Sequence, residues 1–307
     1  MMFTTLFDRN YLLRGLAMLD SLLEHSQSAK VTVLALDWET SKFLTETRQD
    51  SRVNILSLDN LDSESLWAAR RSRSYRDFCW TLSSVLCHQL LRDNTEVIYL
   101  DADICFFNNP DELLNLCRSG QVAAVPHGFP NRLKSSEVNG IYNVQWVYFA
   151  GNEGTSACQR WAEQCLDRCE LAPEEGIVGD QKYLDEWPDL YPSFISLDHC
   201  GAGVAPWNHE IREPRQLDGR WVVRTEENMV FYHFHGLTIS HDGSVVLSGP
   251  TYSEVKPFPI ELYEEYLRRL SANWTRVRHL VPEPDPKTWH IARCRAESLR
   301  AMLRRFR

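Results

Sequence analysis

The sequence predicts an α/β fold: a mostly parallel central sheet flanked by helices, with a helical extension at the C-terminal end. Two observations predict it. Across the first third of the chain, short apolar runs alternate with stretches whose apolar residues recur at helical spacing. Two of those runs, residues 3–7 and 97–100, end directly on an aspartate, Asp8 and Asp101. Such alternation builds parallel strands joined by helical crossovers that cover both faces of the sheet. Ligands in these sheets bind beyond the carboxyl ends of the strands, so Asp8 and Asp101 are the first candidates for a site.

The elements follow in order. Residues 3–7 form a buried strand, and Leu12, Leu16, Leu19 and Leu23 recur at the spacing of a helix. Strands are expected at 31–36 and 53–58. Residues 78–91 read as a helix carrying Leu82, Val85, Leu86 and Leu90, and 97–100 as the strand that delivers Asp101. Further strands are expected at 122–125 and 144–150, and a helix at 156–168. Residues 180–187 read as a helix that stops before Pro188, because the residue before a proline is held out of helical geometry. Residues 201–208 are a Gly/Pro loop, and 231–234 a short strand before Gly236. Pro282, Pro284 and Pro286 make a stiff break. Beyond it, Ile291, Leu299, Met302, Leu303 and Phe306 point to a terminal amphipathic helix. The expected division is a catalytic domain over 1–250 and a basic helical extension over 251–307.

The 307 residues are 43% apolar and 24% charged, enough for the core of one large domain. The net charge of −9 is uneven. Residues 255–307 hold 12 Lys/Arg against 6 Asp/Glu, while the remainder holds 21 against 36. An acidic body excludes a nucleic-acid partner, which would want a basic face. The basic tail is either a solvated helix, a helix docked on the domain, or a contact for an anionic membrane. No stretch reads as a signal peptide or a membrane span. The nine cysteines are scattered without a CxxC pair, as expected for reduced thiols in a cytoplasmic protein. A cytoplasmic location is therefore expected, with the tail able to touch the inner membrane face.

The sharpest chemical signal is EVIYLDADICFFNNP, residues 96–110. An apolar strand delivers Asp101 and Asp103, and in extended geometry both side chains point to one face. Together they can hold a divalent cation, which a diphosphate requires; two carboxylates alone would repel it. An apolar strand ending in D-x-D also opens phosphohydrolases that form an aspartyl-phosphate. In those, however, the pair comes near the chain start.

From these residues the chain resembles the GT-A (Rossmann-like) nucleotide-sugar transferases, in particular family 8-like bacterial enzymes of lipopolysaccharide and capsule assembly. Several motifs over residues 3–240 carry the resemblance. FTTLFDRNY (3–11) matches a first strand with a D-x-N-Y turn, which implies that Thr5, Asp8, Asn10 and Tyr11 line a nucleotide-base pocket. Helix capping is a second, compatible role for Asp8 and Asn10. YLDAD implies Asp103 as principal metal ligand and Asp101 on metal or ribose. YNVQWVYF (142–149) implies Asn143 on the donor sugar, with Gln145 where a small residue is common. GDQKYLDEWP (179–188) implies Asp180 on acceptor or sugar hydroxyls and Gln181 near the anomeric carbon; an ordinary N-cap is the plain alternative for Asp180. FYHFHG (231–236) implies His233 as third metal ligand, with His235 on the same side of the strand. The family's Lys-Pro-Trp after this Gly is absent, which leaves Lys256 or Arg224 to hold the diphosphate. FCWTLSSVL (78–86) and GAGVAPWNHE (201–210) also look family-like. In them Trp80 is expected to pack, and Trp207 and Asn208 to recognise a sugar or brace a loop.

The resemblance implies a glycosyltransferase that moves a sugar from a nucleotide-diphosphate donor, a UDP-sugar, to a hydroxyl of a glycan or lipid-linked glycan. It implies Mn2+ or Mg2+ as cofactor and retention of anomeric configuration, with the leaving phosphate as base; an inverting reaction would use Asp180 as base. A silent sugar-nucleotide binder would tend to have lost a ligand. A nucleotidyltransferase would carry a Gly-rich basic loop where this chain has LFDRNYLLRG.

Overall fold

The computed structural model describes residues 2–48, 50–61, 63–252 and 258–291. The first apolar run forms β1 (Met2–Phe7), followed by α1 (Leu12–His25), β2 (Lys30–Ala35), α2 (Trp38–Thr47), β3 (Val53–Ser57), α3 (Glu64–Ser72), α4 (Tyr75–Leu90) and β4 (Glu96–Leu100). Beyond the two aspartates come β5 (Ile104–Phe106), α5 (Asp111–Cys117), β6 (Val122–Pro126), β7 (Tyr142–Ala150) and α6 (Gly151–Asp167). Short elements follow: β8 (Leu171–Ala172), β9 (Ile177–Val178), α7 (Trp187–Leu190), β10 (Phe194–Ser196), α8 (His209–Arg212), β11 (Arg215–Leu217), β12 (Arg220–Val222), β13 (Phe231–His233), β14 (Thr238–Ile239) and β15 (Ser244–Val246). The described chain ends with α9 (Ile260–Val277) and β16 (His290–Ile291).

Seven strands form the main sheet in the order β10-β6-β7-β4-β1-β2-β3. All pairings are parallel except those of β7, which runs against both β4 and β6. The mostly parallel sheet flanked by helices is therefore as the sequence predicts. The reversal of β7 has a local consequence. Its first residues lie at the same edge as the last residues of β1, β4 and β6. Between β6 and β7 the register jumps: Ala124 faces Val147 and Val125 faces Asn143, leaving Val144, Gln145 and Trp146 unpartnered on β6. Irregularities of this kind re-aim side chains beside sites.

The core follows the sequence pattern. Phe3 and Phe7 on one face of β1 pack with the fully buried Leu12, Leu16 and Leu19 of α1. Leu262, Tyr263, Tyr266, Leu270 and Val277 of α9 join the same cluster. The extension's described helix is thus α9; the amphipathic stretch expected beyond Ile291, with the arginines from 293 on, lies outside the described residues. One expectation is corrected. Residues 180–187 do not form an α-helix stopped by Pro188. A 3-10 turn, Lys182–Glu186, leads into α7, and Pro188 sits in the first turn of that helix. A proline is tolerated there because the first-turn N–H has no intrahelical acceptor to lose. The eight cysteines among the described residues are free thiols. No helix among the described residues is long and apolar enough to cross a membrane.

Candidate active site at the strand-end cleft

A cleft of about 880 Å3 opens where β1, β4 and β6 end and β7 begins. Asp8 follows β1, Asp101 and Asp103 follow β4, His127 follows β6, and Asn143 opens β7; all line the cleft. Asn10, Tyr11, Asp180, Gln181, His233 and His235 line it too. A smaller hollow of about 550 Å3 beside α9, lined by Glu264, Leu267, Arg268 and Trp289, takes in none of these residues.

The acid–histidine cluster is built by backbone pairing. Strand β13 runs antiparallel to β5, with His233 opposite Ile104, and Phe234 N donates to Asp103 O at 2.9 Å. This register carries His233 to Asp103 despite their distance in sequence. His233 Nε2 lies 3.0 Å from Asp103 Oδ1 and 3.9 Å from Asp101 Oδ2. Alternation along the segment turns His235 to the same side, its ring centroid 5.4 Å from that of His233. Asp103, His233 and His235 offer ligand atoms within 4.8 Å of one another. Asp101 stands beside this trio and keeps 28% of its side chain exposed. Burial raises the Asp101 carboxyl above the ordinary range, against the pull of His233. At Asp103 the same burial is outweighed by His233, which holds the carboxyl low. Burial disfavours charge on His233, but Asp103 outweighs it and raises the imidazole. Burial lowers His235 to about 4, so its ring is neutral and can donate a lone pair.

An amide chain forms the opposite wall. Asn143 Nδ2 donates to Gln181 Oε1 at 2.8 Å and lies 3.0 Å from His127 Nε2; Gln181 Nε2 donates to Asn139 O at 2.9 Å. His127 Nδ1 lies 3.2 Å from Ile141 O, and burial lowers this ring to about 3. The ring is therefore neutral, with Nδ1–H donating to the carbonyl and Nε2 accepting from Asn143. Asp180 does not cap a helix: Gln181 occupies the cap position, with no side-chain cap bond. Instead the Asp180 carboxylate accepts from Ser83 Oγ, and its carbonyl accepts from Trp161 Nε1 at 2.8 Å. Burial pushes its carboxyl up to about 7. Gly179, at φ +56°, lets this segment lie on Trp80; a Cβ there would stand 2.9 Å from the indole. Trp80 thus packs as expected and also lines the cleft.

At the β1 end, Asp8 holds its own turn. Its Oδ1 accepts from Asn10 N at 2.9 Å and Tyr11 N at 3.2 Å, and its Oδ2 from Asn10 Nδ2 at 2.7 Å and the Tyr75 hydroxyl at 3.0 Å. Asp8 thus fixes the turn before α1, whose cap position, Tyr11, has no side-chain cap bond, and Tyr11 and Tyr75 flank the turn with exposed rings. Thr5 is the residue of the implied pocket that the cleft wall does not include. It is fully buried, because it shares the face of Phe3 and Phe7 that packs on α1. Of the cations proposed for the diphosphate, Arg224 pairs with Glu213 at 3.8 Å and does not line the cleft, and Lys256 lies outside the described residues. Arg73 is fixed to Thr81 and to the Cys165 and Leu166 carbonyls. Arg76, its guanidinium 4.8 Å from the Trp80 ring centre, is the one lysine or arginine lining the cleft among the described residues. Asn208 braces its loop by donating to His127 O and Gly203 O at 2.8 and 2.9 Å, while Trp207 donates to His127 O at 2.8 Å and faces the cleft. His127 and Tyr75 were not anticipated as site residues, and Arg76 lines the cleft although its place in the sequence is out of register with the family's diphosphate-binding Arg or Lys. His127 carried the same signal as Asp8 and Asp101, a polar residue just past an apolar strand.

The model of the family described as nucleotide-diphospho-sugar transferase matches residues 27–186, and the chain belongs to that family. The uncharacterized protein YfnF of Bacillus subtilis (strain 168) is 27% identical over 277 residues, 86% of this chain and 91% of YfnF. Among solved structures, the glycosyltransferase GlyE of Streptococcus pneumoniae TIGR4 superposes with a TM-score of 0.53 at 14% identity, over 91% of this chain and 64% of GlyE. The galactosyltransferase LgtC, in complex with donor and acceptor sugar analogues, gives 0.50 at 12% identity, over 87% of this chain and 95% of LgtC. At these identities the structural likeness speaks for the fold.

Proposed function

We propose that the chain transfers a sugar from a UDP-sugar to a hydroxyl of a glycan or lipid-linked glycan in surface-polysaccharide assembly. The reaction is metal-dependent and retains the anomeric configuration. The observation that carries this reading is the meeting of Asp103, His233 and His235, with ligand atoms within 4.8 Å, in one cleft with Asn143, Asp180 and Gln181. The donor set fits a divalent cation. Two imidazoles and a carboxylate, with Asp101 adjacent, suit Mn2+ better than Mg2+, which prefers oxygen and water. When bound, the cation supplies charge to offset what grows on the leaving diphosphate. Arg76 offers the positive group from the protein side, in place of Lys256 or Arg224. Asn143 and Gln181, already aligned by their mutual bond, present amides to sugar hydroxyls. The exposed rings of Tyr11 and Tyr75 offer stacking faces for the base, beside Asn10. The basic residues of 293–307 suit an anionic inner membrane face, where a lipid-linked acceptor would lie.

The test is a screen of nucleotide sugars for release of nucleoside diphosphate, with and without Mn2+. Cleavage of one donor, only with metal, is expected. Hydrolysis of a generic phosphate ester with no donor cleaved would move the reading to a phosphohydrolase.

A further inference from the structure

We propose that Gln145, which does not line the cleft, is the positioning residue that orients His233 and fixes which ring nitrogen is free for a cation. This rests on the reading of His233 as a ligand. Gln145 lies fully buried in the stretch of β7 that has no partner on β6. Three bonds join it to three parts of the site. Its Oε1 lies 2.9 Å from His233 Nδ1, its N–H donates to Asn143 Oδ1 at 2.9 Å, and its carbonyl accepts from Asp101 N at 3.3 Å. An acceptor oxygen at Nδ1 requires the proton to sit there. Nε2, 3.0 Å from Asp103, is then the nitrogen that can give up its proton and turn a lone pair to a cation.

Packing alone does not account for this side chain. Gln145 Nε2 is buried with no hydrogen-bond partner among the described residues, an arrangement that costs free energy. A leucine or methionine would fill similar space without that cost. The neighbouring loop also leaves room for the amide: Gly203 adopts φ +62°, and a Cβ there would stand 2.7 Å from Gln145 Nε2 as well as 2.5 Å from Val125 Cγ1. A buried amide held at a cost, in space cleared by a left-handed glycine, with its oxygen on an imidazole, is what an outer-shell orienting group requires.

Mn2+ alone is titrated into native protein, Gln145→Met, Gln145→Glu and His233→Ala, following loss of the free-ion EPR signal, with a thermal melt of each. Gln145→Met removes the acceptor and is expected to weaken Mn2+ binding roughly 10–100-fold without lowering the melting temperature. Gln145→Glu can only accept at Nδ1 and is expected to bind at least as tightly as native. Native-like affinity in Gln145→Met, with binding lost in His233→Ala, overturns the role of Gln145 alone. Native-like affinity in His233→Ala, or no binding by the native chain, overturns the ligand reading beneath it. If Gln145→Met does not fold, imidazole nitrogen NMR of the native protein with diamagnetic Zn2+ decides. A proton on His233 Nδ1 supports the proposal, and one on Nε2 overturns it.

Discussion

Asp180 and Asp103 show opposite fates of a buried carboxyl. Asp103 has a histidine against it and is held in its charged form; Asp180 has only the Ser83 hydroxyl, and burial lifts it to about 7. A carboxyl raised from its unfolded value favours the folded state at low pH. Its contribution is complete below about pH 4 and is lost as pH rises towards 7. Asp180→Asn is therefore expected to stabilise the metal-free protein above pH 7 by on the order of 2–4 kcal/mol. It should flatten the stability profile between pH 4 and 7 while lowering transfer at least about tenfold. Urea melts across pH together with initial rates check this; an unchanged stability profile would show that Asp180 is not held protonated. Asp103→Asn is expected to abolish donor cleavage in a chain that still melts cooperatively. The residue types were readable in advance, but their state was not. Capping could be written beside a base-pocket role for Asp8 and beside an acceptor-side role for Asp180, and the hydrogen bonds make neither a helix cap: Asp8 holds the turn before α1, and Asp180 bonds Ser83.

The strands that end on the cleft were legible because each is a short, mostly apolar run followed by a polar residue. The direction of β7 was not, since an apolar run reads the same in either sense and only pairing fixes it. That direction makes Asn143 a neighbour of residues at the ends of β6 and β4, rather than leaving it at the far edge. A helical extension was legible as well, but not the bounds of α9, whose apolar face is interrupted by charged and polar residues. Between elements, Gly179 is the contact that lets the Asp180–Gln181 segment lie on α4. Gly179→Ala is expected to cost about 1–3 kcal/mol, because the residue has φ +56° and its Cβ would meet Trp80. Chemical unfolding with tryptophan emission should register both the loss and a shifted Trp80. A neutral outcome would mean that the segment and α4 separate easily.

Across the whole molecule, the described part of the extension is tied to the site by a buried ion pair. Arg14 donates to Glu283 at 2.9 Å, to Leu237 O at 3.1 Å and to Asn10 O at 3.3 Å. One guanidinium thus joins α1, the turn after His235, and a residue after α9. Glu283→Ala leaves that charge buried without its partner and is expected to destabilise the fold by about 3–5 kcal/mol. The paired replacement Arg14→Met with Glu283→Leu is expected to recover most of the loss. A double-mutant cycle by urea denaturation measures this; additive losses would mean that the two residues act independently. No sequence pattern announced this pair, because two charges far apart along a chain carry no periodicity.

The pairing of β13 with β5 also orders events in time. Asp103 precedes His233 by 130 residues. At about 5–20 residues per second, a ribosome needs roughly 6–26 s to supply the second after the first. A nascent chain thus presents Asp103 long before His233 and His235 exist, and any capacity to capture a cation through all three residues arrives only once residue 235 has been added.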